Sequence, residues 1–306
     1  MRVACDSAQL LLHTSDHCGE SVTWHGEQRA VYWIDNRRNL VHRLIPDLRS
    51  LCTWKFEETV AALVLTEDPQ VLCLVLGSRL LLWNPSTDER KEYGFPLDGW
   101  PMVRYNEAGV DPMGRLWLGS MANNANPDGS RRQVIAGKGS LIRIDSDGAT
   151  IMRQKIGIVN TIAWNPAGSC LYSGDTLANE IRSYRFDKKY GDLNEPTSFL
   201  KGFPSGRPDG SAIDREGSLW NCRYGGGCII RVSPSGEIQE RVMFPTSNVT
   251  SCAFGGPSLT TLYVTTALSD ASAATTDDGG LFAVPASVAG HPLYRHRLVS
   301  LSSGHR

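Results

Sequence analysis

The chain lacks most of the features that would assign it quickly. It has 306 residues, no excess charge of either sign and no long apolar run. The longest apolar stretches, such as Ala61-Ala62-Leu63-Val64-Leu65, are strand-sized, whereas a spanning helix needs roughly 20 residues, so no membrane is expected as a partner. Lys and Arg number 31 against 32 Asp and Glu, a net charge of −1. That balance gives no basic face, and nucleic acid is not expected either. The start, Met1-Arg2-Val3-Ala4-Cys5-Asp6, shows no charged region followed by an apolar segment and a cleavage site, so the expectation is a cytoplasmic protein without a signal peptide.

The familiar catalytic signatures are missing too. No G-x-S-x-G elbow occurs, which argues against a serine esterase, and neither H-x-H nor H-E-x-x-H is present. Gly225-Gly226-Gly227 lacks the spacing and following helix of a dinucleotide loop and reads as a turn. The eight cysteines form no C-x-x-C pair and read as reduced, mostly buried thiols. His25, His42 and His296 are isolated and read as surface or hydrogen-bonded residues rather than ligands. With 41% hydrophobic and 21% charged residues, the chain has enough apolar material for a large core.

What is present is a repeat. Helical periodicity is scarce, and pairs of short β-type runs recur six times. Each pair is anchored on its first strand: Trp33, Cys73, Trp117, Tyr172, Trp220 and Tyr263. The anchors are spaced by roughly 40–55 residues, the period of propeller blades. Asp111-Pro112-Met113-Gly114, Asn165-Pro166-Ala167-Gly168 and Asp214-Arg215-Glu216-Gly217 each precede an anchor. Each reads as a type I turn closed by a glycine. The expectation is an all-β, six-bladed β-propeller forming one domain over residues 1–306; an irregular sandwich would not repeat at this period. Trp164, Trp220, Tyr172 and Tyr263 read as blade packing. Residues 122–138 read as an exposed loop able to cover a site, and Arg223 and Tyr224 read as rim or surface residues.

A propeller points equivalent positions of its blades at one axis. Counting back from the anchors places Glu20, Asn106, Asn160, Asp209 and Ser251 at one phase, with Ala61 or Ala62 in the second blade. Two carboxylates and two amides form a hard-oxygen cluster suited to Ca²⁺, Mg²⁺ or Mn²⁺, or to Zn²⁺ with fewer ligands. The other reading of these positions is a hydrogen-bonded cap over trapped water.

At the same positions the sequence resembles the SMP-30/gluconolactonase family. Gly19-Glu20 with Trp24 resembles its opening G-E-G-P-x-W segment. Arg104-Tyr105-Asn106-Glu107 and the run Val110 to Met121 resemble its R-x-N-D-G core, Ile158-Val159-Asn160-Thr161 its S-N-G segment and Pro208-Asp209-Gly210 its P-D-G segment. Thr250-Ser251-Cys252-Ala253-Phe254-Gly255-Gly256 resembles its late T-S-x-x-F-G-G motif. The resemblance implies hydrolysis of sugar lactones to aldonic acids with one divalent ion: Ca, Zn, Mg, Mn or Fe(II). It implies metal ligands at Glu20, Asn160 and Asp209, and substrate contacts at Arg104, Asn106 and Asn124. Asp209 is the candidate to activate water, and Arg104 has the other reading of a structural partner for a tunnel carboxylate. Departures fall at Ser21-Val22, where G-P is usual, at Glu107 for Asp, at Thr161 for Gly, and at Asn124, where some members carry Glu. A calcium-binding or interaction propeller and a related esterase or phosphotriesterase-like hydrolase stay open as other functions. The partner expected is a small sugar lactone, and the state a monomer, since a closed ring leaves no sheet edge that demands one.

Overall fold

A computed structural model describes residues 2–4, 8–125, 132–269 and 274–299. Six antiparallel sheets form, each the repeat unit expected from the anchors. Their innermost strands are Gly19–His25, Val60–Leu65, Val103–Val110, Val159–Trp164, Arg207–Ile213 and Val249–Gly255. Each of these touches the next and the sixth touches the first, so the sheets close into a six-bladed β-propeller. The N-terminal strand Gln9–Leu12 adds to the outside of the last blade, pairing Gln9 with Ala283 and Leu10 with Phe282. The ring cannot open without breaking that sheet. Strand Arg2–Ala4 likewise pairs in parallel with Ile238–Met243 on the fifth blade.

Strands of this kind are buried on both faces and carry continuous apolar runs. Val60–Leu65 and Leu72–Leu76 are buried throughout. The core lies between blades as layers of interlocked rings. Trp83 meets Tyr32, Trp54 and Phe56 edge-on between blades one and two. Trp117, Trp164 and Phe186 make a triangle between blades three and four, with centroids 5.7–5.8 Å apart. Trp220 meets Phe254 at 5.8 Å between blades five and six.

The Asp turns bind the blades internally. Gly114 and Gly217 take φ of +85° and +84°, and their amides donate to the carbonyls of Asp111 and Asp214 at 2.9 and 3.0 Å. In each turn the carboxylate accepts two further backbone amides and the indole N–H of the anchor: Asp111 from Trp117 at 3.2 Å, Asp214 from Trp220 at 3.0 Å. Asp214 also holds the Arg231 guanidinium at 2.8 Å. Asp214→Ala strips partners from a buried guanidinium, an indole and two amides at once. It is expected to cost about 3–5 kcal/mol, read as a lower urea midpoint with unchanged slope.

Two cavities lie against the innermost strands. The larger has a volume of about 820 Å³. The other is a chamber of about 130 Å³, whose wall the C-terminal segment completes with His291, Pro292, Leu293 and Tyr294. Among the described residues no helix is long and apolar enough to cross a membrane, and all seven described cysteines are free.

Candidate active site

Every innermost strand carries a register shift near its start: at Glu20/Thr23, Val60/Ala62, Tyr105/Glu107, Asn160/Ile162, Pro208/Ser211 and Val249/Ser251. A bulge re-aims side chains at a sheet rim, and here six bulges face one axis. Glu20, Asn106, Asn160 and Asp209 sit at or beside them and line the large cavity with Arg104 and Asn124. Two departures noted in the sequence fall on the bulges. Ser21 and Thr161 adopt left-handed φ of +51° and +55°, a conformation that favours glycine and costs a side-chain-bearing residue roughly 1–2 kcal/mol. Hydroxyl bonds offset the strain. Ser21 Oγ accepts from the Leu63 amide at 3.0 Å, and Thr161 Oγ1 donates to the Asp209 carbonyl at 2.5 Å.

Two matching turns hold the segments that enter the site. Asp35 accepts the amides of His17 and Cys18, just before Glu20, at 2.8 and 3.3 Å. Asp175 accepts those of Gly157 and Ile158, just before Asn160, at 2.9 and 3.3 Å. Each turn ends on an asparagine with positive φ, Asn39 or Asn179.

The polar side chains form one relay. Asn124 Oδ1 accepts from Arg104 Nε at 3.1 Å, and Arg104 Nη1 donates to the Tyr105 carbonyl and to Asn106 Oδ1, both at 2.9 Å. Asn106 Nδ2 donates to the Val159 carbonyl and to Asn160 Oδ1, both at 3.0 Å. Asn160 Nδ2 donates to Thr176 Oγ1 at 2.8 Å, which donates to the Pro208 carbonyl at 2.8 Å. The relay fixes the Asn160 amide with its nitrogen engaged and one oxygen lone pair left for a further partner.

Charge is poorly compensated here. Burial, then repulsion from Glu107, pushes the Glu20 carboxyl up to about 8. Burial, then Glu20 and Glu107, raise Asp209 well above the ordinary carboxylate range, with Arg223 and the Gly210 amide opposing. Burial lifts Glu107 to about 7. Arg104 is lowered to about 10, chiefly by burial and further by Arg37. Carboxyls held up in this way ionise at neutral pH only when a cation balances them. Among the described residues no three His, Cys, Asp or Glu side chains are arranged to hold a metal ion, so a cation here needs an amide oxygen beside the carboxylates. Burial, then Glu20, raises the Cys18 thiol at the cavity wall well above its usual value, which leaves it protonated and poorly nucleophilic.

Several expectations change. Ser251 lines the smaller chamber, as Glu107 does; each is the residue directly after the register shift, whereas Asn106 falls on the shift and lines the large cavity. Arg104 forms no ion pair with a carboxylate among the described residues, and amide and carbonyl oxygens take its place. Arg223 is not on the surface: it is buried and donates to Ser205, Gly206, Asn179 and Asn221, while Tyr224 does line the cavity. Of the expected covering loop, Asn123, Asn124, Ala125, Arg132 and Val134 line the cavity and residues 126–131 lie outside the described residues. His25, His42 and His296 are buried and hydrogen-bonded away from the cavity. Sequence reasoning missed Glu107, Arg37 and Thr176. Arg37 and Thr176 were detectable, since each lies in an Asp-x-x-x-Asn turn, at 35–39 and 175–179.

Residues 18–268 match the family model described as the SMP-30/Gluconolactonase/LRE-like region. The chain is 32% identical to an L-arabinolactonase of Azospirillum brasilense, over 92% of this chain and 93% of that one. It is 29% identical to a pentonolactonase of Haloferax volcanii, over 93% and 96% of the two. A solved regucalcin of Agrobacterium tumefaciens, described as a calcium-binding protein, superposes with a TM-score of 0.89 at 25% identity, covering 97% of this chain and all of that one. The chain belongs to the SMP-30/gluconolactonase/LRE-like family.

Proposed function

We propose that this protein is a hydrolase of sugar lactones that works with one divalent cation held by Glu20, Asn160 and Asp209. The observation that carries this reading is the placement of two poorly compensated carboxyls and a fixed amide oxygen beside Arg104, all on one open cavity. The donor set is all oxygen, which suits a hard cation, and three protein ligands leave positions open. Lactonases among the relatives support the substrate class.

A bound cation supplies Lewis-acid polarisation of the lactone carbonyl and stabilises the negative charge that develops there. The other roles belong to the chain. Arg104 binds substrate oxygens through donors its protein contacts leave free. Asn106, with both amide hydrogens engaged, positions Arg104 and Asn160. Asn124 fixes Arg104 from the other side. Asp209 accepts a proton from the attacking water and returns it to the leaving ring oxygen, so the ring C–O bond breaks and an aldonic acid leaves. The whole chain acts as one domain and one monomer, in the cytoplasm.

The test is proton release at near-neutral pH on glucono-, galactono-, xylono- and arabinonolactone with metal supplied. Saturable turnover of at least one is expected. Tight binding of a divalent metal without turnover of any would remove the hydrolase reading and favour a binding propeller.

A further inference from the structure

Beyond hydrolysis of sugar lactones in general, the cavity carries a charge pattern that selects among them. Arg104 is only 6% exposed. Its Nε and Nη1 donate to Asn124, Tyr105 and Asn106, and its Nη2 donates to no described residue. Arg223, the other buried guanidinium near the site, uses all three nitrogens on protein oxygens. Arg37 lies at the rim of the same cavity, and its guanidinium makes no hydrogen bond or ion pair among the described residues. The carboxylate beside it in sequence, Asp35, is committed to Arg38 and to backbone amides.

The carboxylates on the cavity wall are committed elsewhere. Glu58, on the cavity wall, pairs with Arg79 at 3.2 Å. Glu20 and Asp209 would be taken up by the divalent cation of the proposed function. Arg104 then faces the cavity with an open edge, and Arg37 stands exposed on its wall with no carboxylate partner among the described residues, while the third carboxyl, Glu107, lines the smaller chamber instead. Sugar hydroxyls can fill hydrogen bonds but cannot neutralise a charge, and a charge-assisted bond is roughly twice as strong as a neutral one.

We propose that the preferred substrate is a sugar lactone bearing a second, acidic group (carboxylate, sulfonate or phosphate) away from the ring carbonyl, received by Arg37 and the open edge of Arg104. The inference rests on the lactonase reading and deepens it. Arg37 is then a specificity residue, and Asn124 matters because it keeps a carboxylate off Arg104.

The experiment compares kcat/KM for glucono-1,5-lactone with its 6-phospho and 6-deoxy-6-sulfo counterparts. The wild type, Arg37→Gln and Asn124→Asp are assayed with metal at low salt. Calorimetric Kd values for gluconate and 6-phosphogluconate are measured on the same proteins. The acidic lactones are expected to be preferred by about tenfold to a hundredfold, the range of a hydrogen bond to a charged group. Arg37→Gln and Asn124→Asp are each expected to cut that ratio by about tenfold. The phospho and sulfo arms separate the two acid types. Equal or better turnover of the neutral lactone, or a ratio unmoved in Arg37→Gln, overturns the inference and leaves the lactonase reading standing. If no lactone turns over, that reading fails separately, and calorimetry decides the anion site: 6-phosphogluconate must bind better than gluconate, with the difference lost in Arg37→Gln, or the site is rejected.

Discussion

Asp209→Asn is expected to lower kcat for lactone hydrolysis by about 10³-fold while leaving the fold intact. A positioned general base contributes roughly 10²–10⁴-fold, and loss of a cation ligand adds to that. The fold should survive because the contacts of Asp209 with the neighbouring blade and strand run through its main chain, and the Gly210 amide that the carboxylate accepts can be accepted by an asparagine oxygen as well. Its carbonyl accepts from Thr161 Oγ1 at 2.5 Å and from Asn221 Nδ2 at 3.2 Å, and neither bond involves the carboxylate. Removing one of three crowded carboxyls also relieves repulsion, so thermal stability without metal should hold or rise. Steady-state kinetics by proton release, with a melting curve of the same sample, checks both parts. Near-wild-type turnover in Asp209→Asn would remove the residue from the chemistry.

The second large effect is on stability. Glu20 titrates from 4.5 in an ordinary setting to about 8 in the fold, and Glu107 from 4.5 to about 7. Both folded values are raised, so between these limits the native state binds more protons than the unfolded chain. Their contribution is fully present below pH 4.5 and is lost as pH rises toward 8. The metal-free protein is therefore expected to lose Tm steadily from pH 5 to 8. A divalent cation should restore it at pH 8 and do little at pH 5, where protons occupy the same oxygens. At a hundred times Kd the cation adds about 2.7 kcal/mol, a shift of roughly 5–10 °C for a domain somewhat smaller than this one. Scanning fluorimetry with chelator and with added metal across that range tests it. A flat metal-free Tm, or an equal metal shift at both ends, would mean that these carboxyls do not hold the ion.

The fold was legible because its signals are local and repeated. Trp33, Trp117 and Trp220 recur at blade spacing, and the Asp-x-x-Gly turns that precede two of them also bond their indoles. The positions of Glu20, Asn106, Asn160 and Asp209 were legible through phase. Ser251 was misplaced because counting back from an anchor does not show where in each strand the bulge falls; in the sixth blade it falls at Thr250, one residue before Ser251. Glu107 was passed over as a mere replacement, although the same bulge that presents Asn106 brings it within repelling range of Glu20. Arg37 and Thr176 come from turns rather than from the repeating strands; their shared Asp-x-x-x-Asn pattern is readable in the sequence, but not that both turns stand on the cavity wall.

The central claim is that one divalent ion at Glu20, Asn160 and Asp209 makes this propeller a lactonase. The most direct test strips the protein with chelator and titrates metal back, following bound ion by equilibrium dialysis and lactone turnover on the same samples. Turnover should be absent without metal, rise in proportion to occupancy and stop rising at one ion per chain, with neither binding nor turnover recovered in a Glu20→Gln, Asp209→Asn double variant. Full turnover in the stripped protein, or turnover that does not follow occupancy, would contradict the account.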